Sequence, residues 1–159
     1  VDVRYLAIDL GDKRTGLALG DAVTRLVSPV GVVEVAIGVR GGEALLEALA
    51  AAVEAQVGGR GGAELVMGLP MRMDGTEGAQ AVKARAFGAR LAARTGRVVH
   101  YQDERLTSAE ADWSMARSGL TRGEKKGKRD ALAAAVILRD FLAGLPAAPG
   151  RDWDVDEPG

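Results

Sequence analysis

The sequence predicts an α/β fold in which a mixed sheet carries helices on its faces. Three observations predict it. The chain opens with three short β-rich apolar runs in succession, then alternates helix, strand, helix and strand, and closes on helical periodicity. At 159 residues and 47% apolar composition it can bury one real core but not two ordinary ones.

Val3 to Leu10 is the first apolar run, Gly11-Asp12-Lys13-Arg14 supplies turn residues, and Thr15 to Gly20 is the second run, so the pair reads as a hairpin. A third strand is expected within Leu26 to Val35. Pro29 lacks a ladder donor there, which places this strand at a sheet edge. From Glu43 to Val57 the apolar residues Leu45, Leu46, Leu49, Ala52 and Val53 recur at helical spacing, until glycines at 58, 59, 61 and 62 stop the helix. Leu65 to Gly68 reads as a short buried strand. A loop through Pro70 and Gly75 follows, and Thr76 is expected to cap a helix running to about Arg94. Val98 to Tyr101 is the next strand. Thr107 and Glu110 have the spacing of a capping box and start a helix to about Arg117, while Ser118 to Gly127 reads as a glycine- and lysine-rich loop. The last helix, about Lys128 to Leu142, gathers Ala134, Ile137, Leu138 and Phe141 on one stripe. The folded domain is expected over residues 1–145, with 146–159 a solvated acidic tail.

Composition removes several chemistries. With no cysteine and one histidine there is no disulfide, zinc-thiolate site, thiol nucleophile or two-histidine metal motif, so carboxylates are the main source of chemistry. No apolar run has the length of a membrane span and no signal-type segment opens the chain, so a cytoplasmic protein is expected. The net charge of −1 averages opposite trends, because residues 60–130 hold 14 basic and 9 acidic side chains and the tail is acidic.

The acids of interest lie at element ends. Asp9 sits inside the run Tyr5-Leu6-Ala7-Ile8-Asp9-Leu10, where an ionised group must be compensated by a cation or by hydrogen bonds from the turn that follows. Asp103 and Glu104 follow a central strand at its carboxyl end, where open α/β sheets gather ligands. Neighbouring residues of a strand face opposite ways, so at most one of the two can share a site with Asp9. Asp130 precedes Ala134, Ile137, Leu138 and Phe141 by 4, 7, 8 and 11 positions and so leans toward the core-facing stripe, although helix-start electrostatics also accounts for it. Three acids delivered by two strands and a helix would repel one another unless hard cations such as Mg²⁺ or Mn²⁺ bound between them. Two such ions about 4 Å apart would support phosphodiester hydrolysis without histidine or cysteine.

Four blocks of sequence carry a resemblance to a known family: AIDLGDKRTGLALGD at 7–21, VMGLPMRMDGTEG at 66–78, DERLTSAEA at 103–111 and KKGKRDALAAAVIL at 125–138. In order and spacing the chain resembles the YqgF/RuvX family of pre-16S rRNA nucleases, also described as Holliday junction resolvases. The resemblance implies an RNase H-like five-stranded sheet, three strands antiparallel and then two parallel. It implies catalytic and metal-holding roles for Asp9, Glu104 and Asp130, with Asp103 in support. Arg14 and Arg105 match basic positions that would contact phosphate. Arg72 departs from the family, which commonly has asparagine after the Gly-Leu-Pro turn, and adds a possible phosphate contact; Arg129 replaces what is often an apolar residue. Processing of the 5′ end of pre-16S rRNA is the implied role, and resolution of four-way DNA junctions is the alternative.

Three other readings compete. Gly11 to Gly16 has Leu17 where a P-loop requires lysine, and the hairpin pattern does not suit that motif. The Asp-Leu-Gly hairpin also resembles the phosphate motif of actin-like ATPases and sugar kinases, but those close two such domains over a nucleotide. A non-catalytic nucleic-acid-binding module would use Arg122, Lys125, Lys126 and Lys128 to hold phosphates. Acids beside a polyanion would gain such a binder nothing. The expected partner is structured RNA or branched DNA, and the expected assembly is a monomer or a homodimer, the latter suited to two symmetric cuts.

Overall fold

A computed structural model describes residues 4–58, 62–104 and 122–146. The elements in order are β1 (Arg4–Asp9), β2 (Thr15–Asp21), β3 (Val27–Val33), a 3₁₀ turn (Val39–Gly42), α1 (Glu43–Val57), β4 (Glu64–Leu69), α2 (Ala79–Thr95), β5 (Val99–Asp103) and α3 (Arg122–Ala143). The sheet runs β3-β2-β1-β4-β5. Its first three strands are antiparallel, and β4 and β5 add in parallel to β1. The expected mixed sheet is therefore present, with β3 at its edge. Pro29 pairs with Ala18 while Gly31 pairs with Leu17, so the register slips by one residue beside the proline that cannot donate.

Strand alternation separates the two faces of this sheet. Leu6 and Ile8 of β1, Leu17 of β2 and Leu65 and Met67 of β4 pack with α1 and α2 in the larger core. Ala7, Ala18 and Val66 point the other way, to Ala134, Ile137, Leu138 and Leu142 of α3. On the α3 side the strands present small residues, and a Cβ at Gly20 would stand 2.8 Å from the Leu138 side chain. The helix therefore lies close on the sheet over β1 and β2.

Several boundaries differ from the sequence expectation. Helix α2 starts at Ala79 after Gly78, which provides no side-chain cap. Thr76 instead spends its N–H and its hydroxyl on Asp74 Oδ1, at 2.9 and 2.7 Å. The loop is closed by a bridge between Met71 and Glu77, so the polar cluster makes its own turn rather than a helix start. Strand β5 continues through Asp103 because its ladder with β4 extends to Leu69. Helix α3 begins at Arg122, which makes 122–127 helical rather than loop and puts Lys125 and Lys126 on the helix. Along α3, Phe141 is partly buried at the margin of the stripe and Leu142 is the fully packed residue. Arg105, the expected Thr107 helix and the tail from 147 onward lie outside the described residues.

Candidate active site

The site forms at the carboxyl ends of β1, β4 and β5, on the face covered by α3. Asp9 ends β1 on the same side as Ala7. Glu104 follows β5 and is tied to the neighbouring β4 by its backbone N–H, which donates to the Leu69 carbonyl at 3.2 Å. Two strand glycines clear the space between these acids and the helix. A Cβ on Gly68 would collide with Glu104 Oε2 and stand 2.6 Å from the tip of Ile137, so the missing side chain lets Glu104 lie across β4 toward β1. A Cβ on Gly16, the ladder partner of Asp9, would run into the backbone carbonyl of Asp130. Glycine at 16 thus lets α3 place Asp130 directly beside Asp9.

Electrostatics report the convergence. Asp9 and Glu104 are hydrogen-bonded to each other, carboxyl to carboxyl. Burial, the Asp9 charge, that hydrogen bond and then Asp103 push Glu104 up to about 8. Burial first, then the negative charge of Asp130, raise Asp9 to about 6, against the lowering effect of the Glu104 hydrogen bond. Both acids are thus raised together, by burial and by the negative charge each meets from its neighbours. Asp130 reaches Asp9 by charge, while its own Oδ2 accepts a hydrogen bond from Arg14 Nε at 2.9 Å. Among the described residues no three histidine, aspartate or glutamate side chains stand as a closed ligand set, and Asp130 is engaged by Arg14.

The predicted residues thus divide. Asp9, Glu104 and Asp130 are brought together. Asp103 alternates to the α1 and α2 side with Val99 and Tyr101, as neighbouring strand residues must, and acts on Glu104 through charge. Arg14, expected at phosphate, is ion-paired to Asp130. Arg72 is exposed on the Met71–Glu77 loop, with its guanidinium against Gly78. The side chains of Lys125, Lys126 and Lys128 lie outside the described residues. Sequence reasoning missed Gly16 and Gly68. The signal was available, since a glycine inside a strand marks close approach of another group.

Two buried carboxyls that approach each other form an oxygen donor set suited to a hard divalent cation. The family model for RuvX, Holliday junction resolvase, matches residues 3–144 of this chain. The chain belongs to the RuvX family. A protein of Anaeromyxobacter sp. (strain Fw109-5) named "Putative pre-16S rRNA nuclease" is 46% identical over 145 residues, 91% of this chain and 100% of that protein. One of the same name from Lactococcus lactis subsp. cremoris (strain MG1363) is 34% identical over 139 residues, 87% of this chain and 93% of that protein. Among solved structures, Thermus thermophilus RuvC in complex with a Holliday junction substrate superposes with a TM-score of 0.51 at 16% identity, over 87% of this chain and 93% of that one. At that identity the RuvC likeness speaks for the fold alone, which is RNase H-like. The four sequence blocks and the strand order thus agree with the RuvX assignment.

Proposed function

We propose that this RuvX-family chain is a metal-dependent endonuclease that hydrolyses phosphodiester bonds and processes the 5′ end of pre-16S rRNA. The observation that carries the proposal is the approach of the Asp9 and Glu104 carboxyls over Gly68, with Asp130 held alongside by the contact at Gly16. Asp9, Glu104 and Asp130 are the residues that would hold Mg²⁺ or Mn²⁺. Bound there, a pair of such ions supplies activation of water and stabilisation of the departing oxygen. The chain's part is to bring the Asp9 and Glu104 carboxyls together, to hold Asp130 alongside Asp9, and to keep them at the carboxyl ends of the strands. Arg72 on the adjoining loop, together with Lys125, Lys126 and Lys128 of α3, would attract the sugar-phosphate backbone.

The relatives named as pre-16S rRNA nucleases favour RNA, and the family's naming as a Holliday junction resolvase gives the second reading, cutting of four-way DNA. A junction resolvase acting at two symmetric positions requires a twofold dimer, so a monomer in solution would favour RNA. The test incubates the protein with structured RNA, single strands and four-way junctions, with and without Mn²⁺. Mn²⁺-dependent cutting of structured RNA is expected. Salt-sensitive binding that ignores Mn²⁺, with no cutting of any substrate, would make the chain a binding module instead.

Among the described residues, no helix is long and apolar enough to cross a membrane. We place the nuclease domain at residues 1–145, close to the 3–144 matched by the family model.

A further inference from the structure

Arg14 stands at the end of the β1–β2 turn, and that turn is held from several sides. Gly11 is packed so tightly that a Cβ would strike the Arg14 carbonyl. The Gly11 N–H points to the hydroxyl of the fully buried Thr15, and the Asp12 carbonyl accepts from the Ile37 N–H at 2.9 Å. The backbone from which the Arg14 side chain springs is therefore fixed before that side chain meets anything. At its other end Nε donates to Asp130 Oδ2 at 2.9 Å, with the two side chains 30% and 25% exposed. Two positions later, Gly16 lets the Asp130 backbone sit against β2. One short stretch of chain thus holds a single residue of α3 twice, by its main chain and by its carboxylate.

We infer that Arg14 is a positioning residue for Asp130: it takes Oδ2 and so sets the orientation of the third carboxylate of the site rather than gripping nucleic acid. This rests on the proposal that the three acids hold a divalent cation. An arginine suits the task because its planar Nε–H donates in a fixed direction, and because a positive charge behind Asp130 offsets its repulsion from Asp9. A phosphate-binding arginine would act on affinity for the polyanion. A positioning arginine acts on the metal site and only through Asp130.

The experiment is a double-mutant cycle on Mn²⁺ binding, read by calorimetry on the full chain without nucleic acid. Arg14→Gln is expected to weaken Mn²⁺ binding about tenfold, the usual scale when a residue orienting a ligand is lost. Asp130→Asn is expected to weaken it at least as much. Adding Arg14→Gln to Asp130→Asn should then weaken it no further, because the group through which Arg14 acts is already gone. Arg14→Lys in the same cycle carries the test should the glutamine variant fail to fold, with the same non-additivity expected. Unchanged or tighter Mn²⁺ binding in the Arg14 variants would overturn the inference, as would a full additional loss on top of Asp130→Asn. Wild-type protein that binds Mn²⁺ but cuts nothing would defeat the nuclease proposal and leave Arg14's role standing. Wild-type cleavage with Mn²⁺ binding untouched by Arg14→Gln would do the reverse, and wild-type protein that binds no Mn²⁺ would end both.

Discussion

The two faces of the sheet are built to different rules. Toward α1 and α2 it presents Leu6, Ile8, Leu17, Leu65 and Met67, all nearly or fully buried against large aliphatic partners. Toward α3 it presents Ala7, Gly16, Ala18, Gly20 and Gly68. The first face gains stability from apolar area, at roughly 25 cal/mol per Å² removed from water. The second gives up area for closeness: without side chains at 16 and 68, Asp130 and Glu104 come to Asp9 at the cost of mutual repulsion and lost hydration. The same strands alternate between the two tasks residue by residue, so the large face anchors the small one.

The sharpest way to break this contrast is at the acids. Asp9→Asn should reduce metal-dependent cleavage by about a thousandfold or more, because it removes several kcal/mol of charge stabilisation, while salt-sensitive nucleic-acid binding persists. Cleavage at wild-type rates in that variant would refute the proposed site. Next, Gly16→Ala and Leu49→Ala compare the faces directly. The alanine at 16 must push α3 away from β2, with an expected rate loss of about a hundredfold for a displacement of about 1 Å and a stability cost of about 1–3 kcal/mol. Leu49→Ala, in the larger core, should cost about 2–5 kcal/mol in denaturant unfolding yet leave turnover of the folded fraction near wild type. Equal effects of the two changes on turnover would show that the faces are not specialised as described.

The acid pair also predicts a pH dependence for protein free of divalent metal. Asp9 and Glu104 are raised from 3.8 and 4.5 to about 6 and about 8, so the unfolded chain releases these protons first. Stability should then fall as pH rises from about 4 through 8. Thermal melting should show this decline, Glu104→Gln should flatten it, and Mn²⁺ should reverse it in wild type by binding the deprotonated acids. Melting temperatures that rise over this interval without metal would contradict the upward shift of both acids. The smallest effects belong to the periphery. Lys125→Ala with Lys126→Ala should weaken binding several-fold and reduce its salt slope by about one per lost phosphate contact, with less change in turnover at saturation. Arg72→Ala should do the same more mildly. A turnover loss as large as the binding loss in either variant would place those side chains in the chemistry itself.

Much of this was legible in advance, for identifiable reasons. Helix α1 runs over Glu43–Val57 as its periodicity predicts, because a leucine stripe bounded by glycines leaves few alternatives. Pro29 marked the edge strand, since a residue without an N–H cannot serve an inner ladder. Thr76 misled because a hydroxyl before a helical pattern can cap the helix or close a turn, and the neighbouring Asp74 favours the turn. Arg14 was open in the same way. A surface arginine next to acids suits a phosphate or a carboxylate equally well until the distance to each is known.

The amino-acid sequence by itself determined the order of the described strands, the candidate acids and the family, because periodicity, turn chemistry and motif spacing are local properties. It also determined that Asp103 and Glu104 face opposite ways, which follows from the pleat. Only the tertiary structure decided that Glu104 crosses over Gly68 to meet Asp9, that Gly16 admits Asp130, and that Arg14 turns to that acid. These contacts join residues as far apart as Arg14 and Asp130, and their existence depends on how closely a helix can approach a sheet. That distance is set by the packing of every side chain between them, which no local pattern encodes.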